Sequence, residues 1–256
     1  MQQHHLIGAY LPDGTPLAFQ ADKNMFEVWN AKTDELIHRW EIKFDYVSDP
    51  TLSQDGRLLA IGAVGDSNDQ IQLWDMVTGE RLQVMEWISI PVDTLAFNPD
   101  GTLLASGAYA VSPLLWDVST GTRLHDLFDI GIDNHVWDIE FSPDGTLLAV
   151  TTHGSVALIN VKNLPHELPT YINENVAVSE VFSISFSPDG NLLATIVSFH
   201  GAAWSYLVEV WDVSTRTLLK EWDFEKPLHE VAFSPDGCLL AATDQESGSL
   251  KLWRVE

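Results

Sequence analysis

Short apolar runs of three to five residues recur along the chain, and clusters of Gly, Pro, Asp and Ser separate them. Runs of this length that are rich in β-branched and aromatic residues are typical of β-strands, as at residues 136–141 and 146–150. The apolar residues do not follow the spacing of three and four that an amphipathic helix requires. The pattern therefore predicts an all-β chain of short strands joined by tight turns.

One turn sequence repeats along the chain. Phe-Ser-Pro-Asp-Gly occupies residues 141–145, 186–190 and 233–237, and in each case one residue separates it from Leu-Leu-Ala. Variants of the motif occupy residues 97–101, 52–56 and 10–14. Its aspartates are 42, 45, 44, 45 and 47 residues apart: Asp13, Asp55, Asp100, Asp144, Asp189 and Asp236. Ser suits the first position of a type I turn, Pro the second and Gly the last, so each copy predicts a β-hairpin. A period of this length is that of one supersecondary unit.

A second marker recurs within each unit, an apolar strand that ends in Trp-Asp or a related pair. Examples are Leu73-Trp74-Asp75, Leu115-Trp116-Asp117 and Val210-Trp211-Asp212. A turn such as residues 117–122 and a further short strand follow, so each unit is expected to hold four strands.

The repeated Phe-Ser-Pro-Asp-Gly, the strand-terminal Trp-Asp and the period of 42 to 47 residues resemble the WD-repeat β-propeller family over essentially the whole chain. The repeats are of a divergent, bacterial-like type. The resemblance implies one domain of six four-stranded blades around a channel, with the Phe on the innermost strand and the Trp on the third. The expected repeats are residues 6–45, 46–89, 90–133, 134–178, 179–226 and 227–256.

The chain departs from the family pattern in two ways. It contains no Gly-His dipeptide, so its blades are expected to be held mainly by packing of tryptophans rather than by the polar network of the family histidine. Only three residues follow Trp253, so the last blade is expected to lack its outer strand. The prediction is an incomplete sixth blade, a strand from Leu250 to Val255 that pairs with another chain, or a piece of a longer protein.

Composition and charge exclude several classes of protein. The 256 residues are 45% hydrophobic and 20% charged, as in globular proteins. The net charge of −24 disfavours binding to nucleic acid or to an anionic membrane surface. The single cysteine, Cys238, excludes an internal disulfide and a cysteine-based zinc site, and no apolar run is long enough to span a bilayer. We expect a cytoplasmic protein without a cofactor or a bound metal.

The family resemblance places the loops between second and third strands on the usual binding face. The longest and most aromatic of these loops is expected at residues 197–206, which include Phe199, His200, Trp204 and Tyr206. Exposed aromatic side chains at a loop tip suit a protein-binding hot spot. The alternative is that Phe199 and Trp204 fold back over the neighbouring blade as a lid.

A further set of candidates stands four residues before the inner-strand Phe. These positions hold Asp93, Trp137, Phe182 and His229 and are expected to ring the mouth of the channel. Trp137 and Phe182 are either anchors for a partner or ordinary packing residues.

The function expected from these features is that of a non-enzymatic scaffold or sensor that binds a protein or peptide through its loop face. The alternative is a hydrolase or metal-dependent enzyme at the channel mouth, using histidines expected on the same face: His135, His153, His200 and His229. The sequence contains neither a Gly-x-Ser-x-Gly motif nor a glycine-rich phosphate loop, which favours the non-enzymatic role.

Overall fold

The fold was taken from a computed structural model, which describes residues 7–22, 24–42, 44, 46–48, 50–64, 70–86, 92–108, 111–132, 136–172, 178–200, 204–244 and 248–255. Over these residues the chain consists of antiparallel strands and two short 3-10 turns, Leu127–Ile130 and Val161–Asn163. The prediction of an all-β fold is confirmed.

The strands form six sheets that follow one another along the chain. Sheet 1 contains β1 (Ile7–Tyr10), β2 (Pro16–Asp22), β3 (Met25–Asn30) and β4 (Glu35–Glu41). Sheet 2 contains β5 (Tyr46–Val47), β6 (Thr51–Leu52), β7 (Leu58–Val64), β8 (Gln70–Asp75) and β9 (Arg81–Glu86). Sheet 3 contains β10 (Thr94–Phe97), β11 (Leu103–Ala108), β12 (Val111–Asp117) and β13 (Arg123–Asp126).

The remaining three sheets hold the candidate site. Sheet 4 contains β14 (Ile139–Phe141), β15 (Leu147–Thr152), β16 (Ser155–Asn160) and β17 (Thr170–Ile172). Sheet 5 contains β18 (Val178–Phe186), β19 (Leu192–His200), β20 (Trp204–Asp212) and β21 (Thr217–Phe224). Sheet 6 contains β22 (Leu228–Phe233), β23 (Leu239–Asp244) and β24 (Leu250–Arg254).

The strand order agrees with the repeat. In every sheet the strands pair in chain order. The Phe of the turn motif lies on the first strand and the Trp on the third in sheets 3, 5 and 6, whereas Tyr10 and Leu52 replace the Phe in sheets 1 and 2, and Ile159 replaces the Trp in sheet 4. In sheet 2 the first strand is split into β5 and β6, which both pair with β7. Pro50 lies between the two pieces and has no backbone N–H to donate to a ladder. Sheet 6 has three strands over the described residues, as expected for a blade without an outer strand.

The chain divides into two compact units. The first comprises residues 1–108 and 114–124, and the second comprises residues 109–113 and 125–256. In the first, sheets 1 and 2 pack around buried apolar side chains that include Phe26, Val28 and Leu59. In the second, one buried cluster joins sheets 4 and 5 and another joins sheets 5 and 6. Apolar residues alternate along the strands because successive side chains point to opposite faces.

The turn motif folds through its own side chains. In the fourth copy the Asp144 carboxylate accepts hydrogen bonds from the Ser142 hydroxyl (2.7 Å) and the Thr146 backbone N–H (3.0 Å). These bonds hold the pKa of Asp144 below its ordinary value. Gly145 has φ of 68°, a conformation that costs a side-chain-bearing residue strain. The motif thus fixes the hairpin that brings β14 beside β15.

Neighbouring sheets in the second unit are also joined by hydrogen bonds between their first strands. The Asp138 and Glu140 carboxylates of sheet 4 accept from the backbone N–H groups of Ile184 (2.9 Å) and Phe186 (2.8 Å) in sheet 5. Ser183 repeats the Asp138 position one sheet later and accepts from Val231 of sheet 6 at 3.3 Å. The side chains three and one residues before the inner-strand Phe therefore bind the next sheet.

The tryptophans make polar contacts as well as the expected packing contacts. Trp116 donates from its indole N–H to the Ser106 hydroxyl (2.8 Å), and Trp211 donates to the Glu209 carboxylate (3.1 Å). In these two blades a hydrogen bond from the indole therefore adds to the expected packing of the buried tryptophan.

Candidate functional site

The candidate site begins with Trp137, two residues before β14, the first strand of sheet 4. The Thr151 hydroxyl accepts hydrogen bonds from the backbone N–H groups of Trp137 (2.8 Å) and Asp138 (2.9 Å). Thr151 and Val136 are both fully buried. The backbone that carries the indole is therefore held by the core, while the Trp137 residue itself is 39% exposed.

The Trp137 side chain is fixed by a carboxylate from the next sheet. Its indole N–H donates to Glu180 Oε2 at 3.0 Å, and His153 Nδ1 lies 3.6 Å from Glu180 Oε1. Glu180 stands on β18, 43 positions from Trp137 in the sequence. This hydrogen bond limits the conformations of a large exposed aromatic side chain.

Three aromatic side chains meet beside this carboxylate. The Trp137 and Phe182 rings lie 5.7 Å apart, and the Phe182 and Tyr206 rings lie 6.3 Å apart. Aromatic ring pairs at such separations stabilise each other by more than the burial of their apolar surface alone. We call Trp137, Phe182, Tyr206 and Glu180 the aromatic cluster. It brings together three of the predicted partner-binding residues.

The prediction of an aromatic loop at residues 197–206 is wrong in its secondary structure. β19 ends at His200 and β20 begins at Trp204, so residues 197–200 and 204–206 are strand, and residues 201–203 lie outside the described residues. Phe199 pairs with Ser205, and Tyr206 pairs with Ser198. Phe199 is half-buried and packs against the core cluster between sheets 4 and 5, so it is not a free loop tip. The backbones of His200 and Trp204 pair across the hairpin, and their side chains lie outside the described residues.

The predicted histidines occupy different settings. His229 lies on β22, is exposed, and its Nδ1 is 3.7 Å from the Glu230 carboxylate. His153 contacts Glu180 in the aromatic cluster, whereas His135 lies outside the described residues. Over the described part of the chain, no group of three or more His, Cys, Asp or Glu side chains is arranged to hold a metal ion.

Two carboxylates next to the aromatic cluster have raised pKa values. The pKa of Asp138 is raised to about 6, chiefly by burial and in small part by the charge of Glu230, against the hydrogen bonds that the carboxylate accepts. Burial, with a contribution from the charge of Asp138, raises the pKa of Glu140 to about 8. Both carboxylates accept hydrogen bonds from backbone N–H groups of sheet 5, so we assign them a structural role in holding sheets 4 and 5 together.

A groove between sheets 4 and 5 includes one predicted binding residue, Phe199, and otherwise residues that were not predicted. It has a volume of about 750 Å³ and is lined by β17 and by residues of sheet 5 that include Phe199, Glu209, Trp211 and Glu221. The sequence signal for it is the tripeptide Glu209-Val210-Trp211, which also occurs at Glu27-Val28-Trp29. Sequence reasoning also missed Glu180, because its partner Trp137 is distant in the chain.

Comparison with known proteins supports the repeat assignment. The family described as "WD domain, G-beta repeat" matches residues 128–160, 174–212 and 217–254. WD repeat-containing protein SL1-17 of Schistosoma mansoni is 32% identical over 181 residues, which cover 70% of this chain and 54% of that protein. The Periodic tryptophan protein 2 homolog of Neurospora crassa is 35% identical over 97 residues, which cover 38% of this chain and 10% of that protein. The chain thus spans about half the length of the first relative and about a tenth of the second.

A solved structure is similar over nearly the whole chain. A chain of Kuenenia stuttgartiensis hydrazine synthase superposes with a TM-score of 0.71 at 16% sequence identity, covering 97% of this chain and 82% of that one. A likeness at this identity shows the fold alone, which is the β-propeller expected from the repeats. A search of the helices in the described residues found none that is long and apolar enough to cross a membrane.

Proposed function

Because the chain belongs to the WD-repeat β-propeller family, we propose that it is a non-enzymatic interaction module that binds a protein partner through the aromatic cluster of sheets 4 and 5. The observation that carries the proposal is the state of Trp137, which is 39% exposed yet packed on Phe182 and hydrogen-bonded to Glu180. A large aromatic side chain that is already ordered loses little conformational entropy on binding. Such residues dominate the binding energy of protein interfaces.

Charge suggests the chemistry of the partner. The chain carries a net charge of −24, and Glu180 places a carboxylate within the aromatic cluster. A partner segment with basic side chains would be attracted over a distance and would meet a complementary charge at the surface. We therefore propose a partner segment that combines apolar and basic residues.

Affinity capture from lysate of the source organism, read by mass spectrometry, tests the proposal. The wild type is compared with Trp137→Ala and with Phe128→Ala, which removes an aromatic side chain that is 65% exposed and lies outside the cluster. We expect the same proteins with the wild type and Phe128→Ala, and their loss with Trp137→Ala. A folded Trp137→Ala variant that retains every captured protein contradicts the proposal.

The open edge of sheet 6 supports a second candidate function, assembly with another chain through the strand from Leu250 to Val255. Leu250 and Leu252 are 57% and 59% exposed, whereas Val208 and Val210, at the matching positions of sheet 5, are buried. An exposed strand edge with apolar side chains is a template for pairing. Light scattering is expected to give a mass above the 28.5 kDa of one chain, and Leu252→Lys is expected to lower it. A wild type of 28.5 kDa at every concentration contradicts self-assembly.

A further inference from the structure

The groove between sheets 4 and 5 combines apolar walls with a buried acid. Phe199, Leu207 and Leu218 contribute apolar surface, and the buried residues Glu209 and Trp211 also line the groove. We call this cavity of about 750 Å³ the Glu209 groove. Its volume is within the range of small-ligand sites and is larger than a single amino-acid side chain needs.

Glu209 is a buried carboxylate beside a second carboxylate. The residue is 4% exposed, and its Oε2 accepts from the Thr195 hydroxyl (3.0 Å) and from the Trp211 indole N–H (3.1 Å). Glu221 is its direct partner in the ladder between β20 and β21. Burial raises the pKa of Glu209 to about 7, the hydrogen bonds oppose this rise, and the charge of Glu221 adds to it.

Sheet 1 contains a second copy of this Glu-Val-Trp pattern, with a different residue opposite the Glu in the ladder. Glu27 precedes Trp29 by two residues, as Glu209 precedes Trp211, and accepts from the Trp29 indole N–H at 3.0 Å. Its partner in the ladder is Arg39, whose Nε lies 2.6 Å from Glu27 Oε1. Sheet 1 therefore supplies a guanidinium at the place where sheet 5 has the Glu221 carboxylate.

We propose that the Glu209 groove binds an arginine or lysine side chain carried by an extended segment of a partner protein. The guanidinium or ammonium group lies between Glu209 and Glu221, in the role that Arg39 has in sheet 1. The aliphatic stem packs on the apolar walls, as long basic side chains commonly do. A charge-assisted contact of this kind is among the stronger hydrogen bonds.

The other charged group of the groove gives the segment a direction. Arg216 also lines the groove, in the turn directly before β21 and five residues before Glu221. Tyr171 is the titratable group on the side of sheet 4. A segment with a basic residue at the Glu221 end and a carbonyl or carboxylate at the Arg216 end matches both charges. The groove volume of about 750 Å³ is larger than one basic side chain fills, which favours a polypeptide over a free amine.

The groove is separate from the aromatic cluster. Tyr206 and Glu209 are three residues apart on β20, so their side chains point to opposite faces of the sheet. The inference therefore goes beyond the proposed function and has its own readout.

Titration of the whole chain with acetyl-Leu-Arg-Leu-amide tests the inference, with the Trp211 indole N–H signal followed by NMR. The matched ligand replaces arginine by citrulline, which has a similar shape and no charge. We expect saturable binding of the arginine peptide and binding of the citrulline peptide that is at least about tenfold weaker. Equal binding of the two peptides, or no saturable shift with either, overturns the inference.

Two variants of Glu221 locate the site. Glu221→Arg recreates the Glu27–Arg39 pair of sheet 1, so we expect loss of peptide binding together with a higher melting temperature. Glu221→Gln, a milder change at an exposed position, is expected to weaken binding several-fold. Unchanged binding in Glu221→Gln and in a folded Glu221→Arg variant overturns the inference.

Agmatine distinguishes the source of the basic group. It carries the guanidinium and the stem without a peptide backbone, so we expect it to bind at least about tenfold more weakly than the arginine peptide. Equal affinity would show a site for a free amine and would contradict the polypeptide ligand. Trp137→Ala is expected to leave peptide binding unchanged, so failure of the aromatic-cluster proposal is distinguishable from failure of this one.

Discussion

Replacing Glu140 by Gln should change how the stability of the protein depends on pH. The Glu140 carboxylate accepts the backbone N–H of Phe186 at 2.8 Å and thereby joins sheets 4 and 5. Burial, with a contribution from the charge of Asp138, raises its pKa from 4.5 to about 8. Glutamine keeps an oxygen acceptor for Phe186 and cannot ionise, so the substitution isolates the cost of the charge.

The sign of the effect follows from the raised pKa. The folded state holds a proton on Glu140 at pH values where the unfolded chain has released it, so the free energy of unfolding falls as pH rises from about 4.5 to about 8. One bound proton corresponds to about 1.4 kcal/mol per pH unit, hence about 3 kcal/mol between about pH 5.5 and about pH 7.5. Because the Glu140 side chain is half-buried, solvent screens its charge, and we expect a change in the free energy of unfolding of about 2 kcal/mol.

Urea unfolding of both proteins at these two pH values measures the effect. The loss of stability on going to the higher pH should be smaller in Glu140→Gln than in the wild type by about 2 kcal/mol. Glu225→Gln removes the same charge at an exposed position and should leave the loss unchanged. Equal losses in the wild type and Glu140→Gln would refute the reasoning.

Two further predictions test the turn and the tryptophan contacts. Gly145→Ala should lower the free energy of unfolding by about 1 kcal/mol in urea unfolding, because φ of 68° strains any residue with a side chain; a neutral effect would contradict the role of this glycine. Trp116→Phe and Ser106→Ala should show a coupling energy of about 1 kcal/mol in a double-mutant cycle, since the Trp116 indole N–H donates to the Ser106 hydroxyl at 2.8 Å. Additive losses would mean that this hydrogen bond does not contribute.

Much of the fold could be predicted because its determinants are local. The turn motif contains the groups that fold it, such as the Asp144 carboxylate and Gly145, and it repeats at a nearly constant interval. Each copy therefore marks a first and second strand, and each Trp-Asp or related pair marks the end of a third. The three strands that sheet 6 shows over the described residues agree with the expectation drawn from the position of Trp253.

The hairpin of β19 and β20 could not be predicted from its local sequence. Gly201-Ala202-Ala203 interrupts the apolar pattern and is typical of a loop, so the surrounding stretch was interpreted as loop as well. Phe199 instead packs on the core cluster that sheets 4 and 5 share, and that contact is not encoded within the hairpin. Tertiary packing thus extends both strands to nine residues.

The candidate site was predicted in part. The shared register position identified Trp137 and Phe182, because residues at matching positions of adjacent first strands lie side by side. Glu180 was missed because a hydrogen bond across 43 positions leaves no trace in either local sequence. The Glu209 groove was missed because the same Glu-Val-Trp sequence has different surroundings in the two sheets. The residue opposite the Glu in the ladder is Arg39 in sheet 1 and Glu221 in sheet 5.

The dissociation constant of a captured partner, measured by titration calorimetry, tests the central claim of binding through the aromatic cluster. We expect Trp137→Ala to weaken binding by about 30-fold or more, the effect of a hot-spot residue, while Phe128→Ala leaves it within about threefold of the wild type. Both variants should melt near the wild-type temperature, because each of the two side chains is substantially exposed. Equal affinities of the wild type and a folded Trp137→Ala variant would contradict the claim.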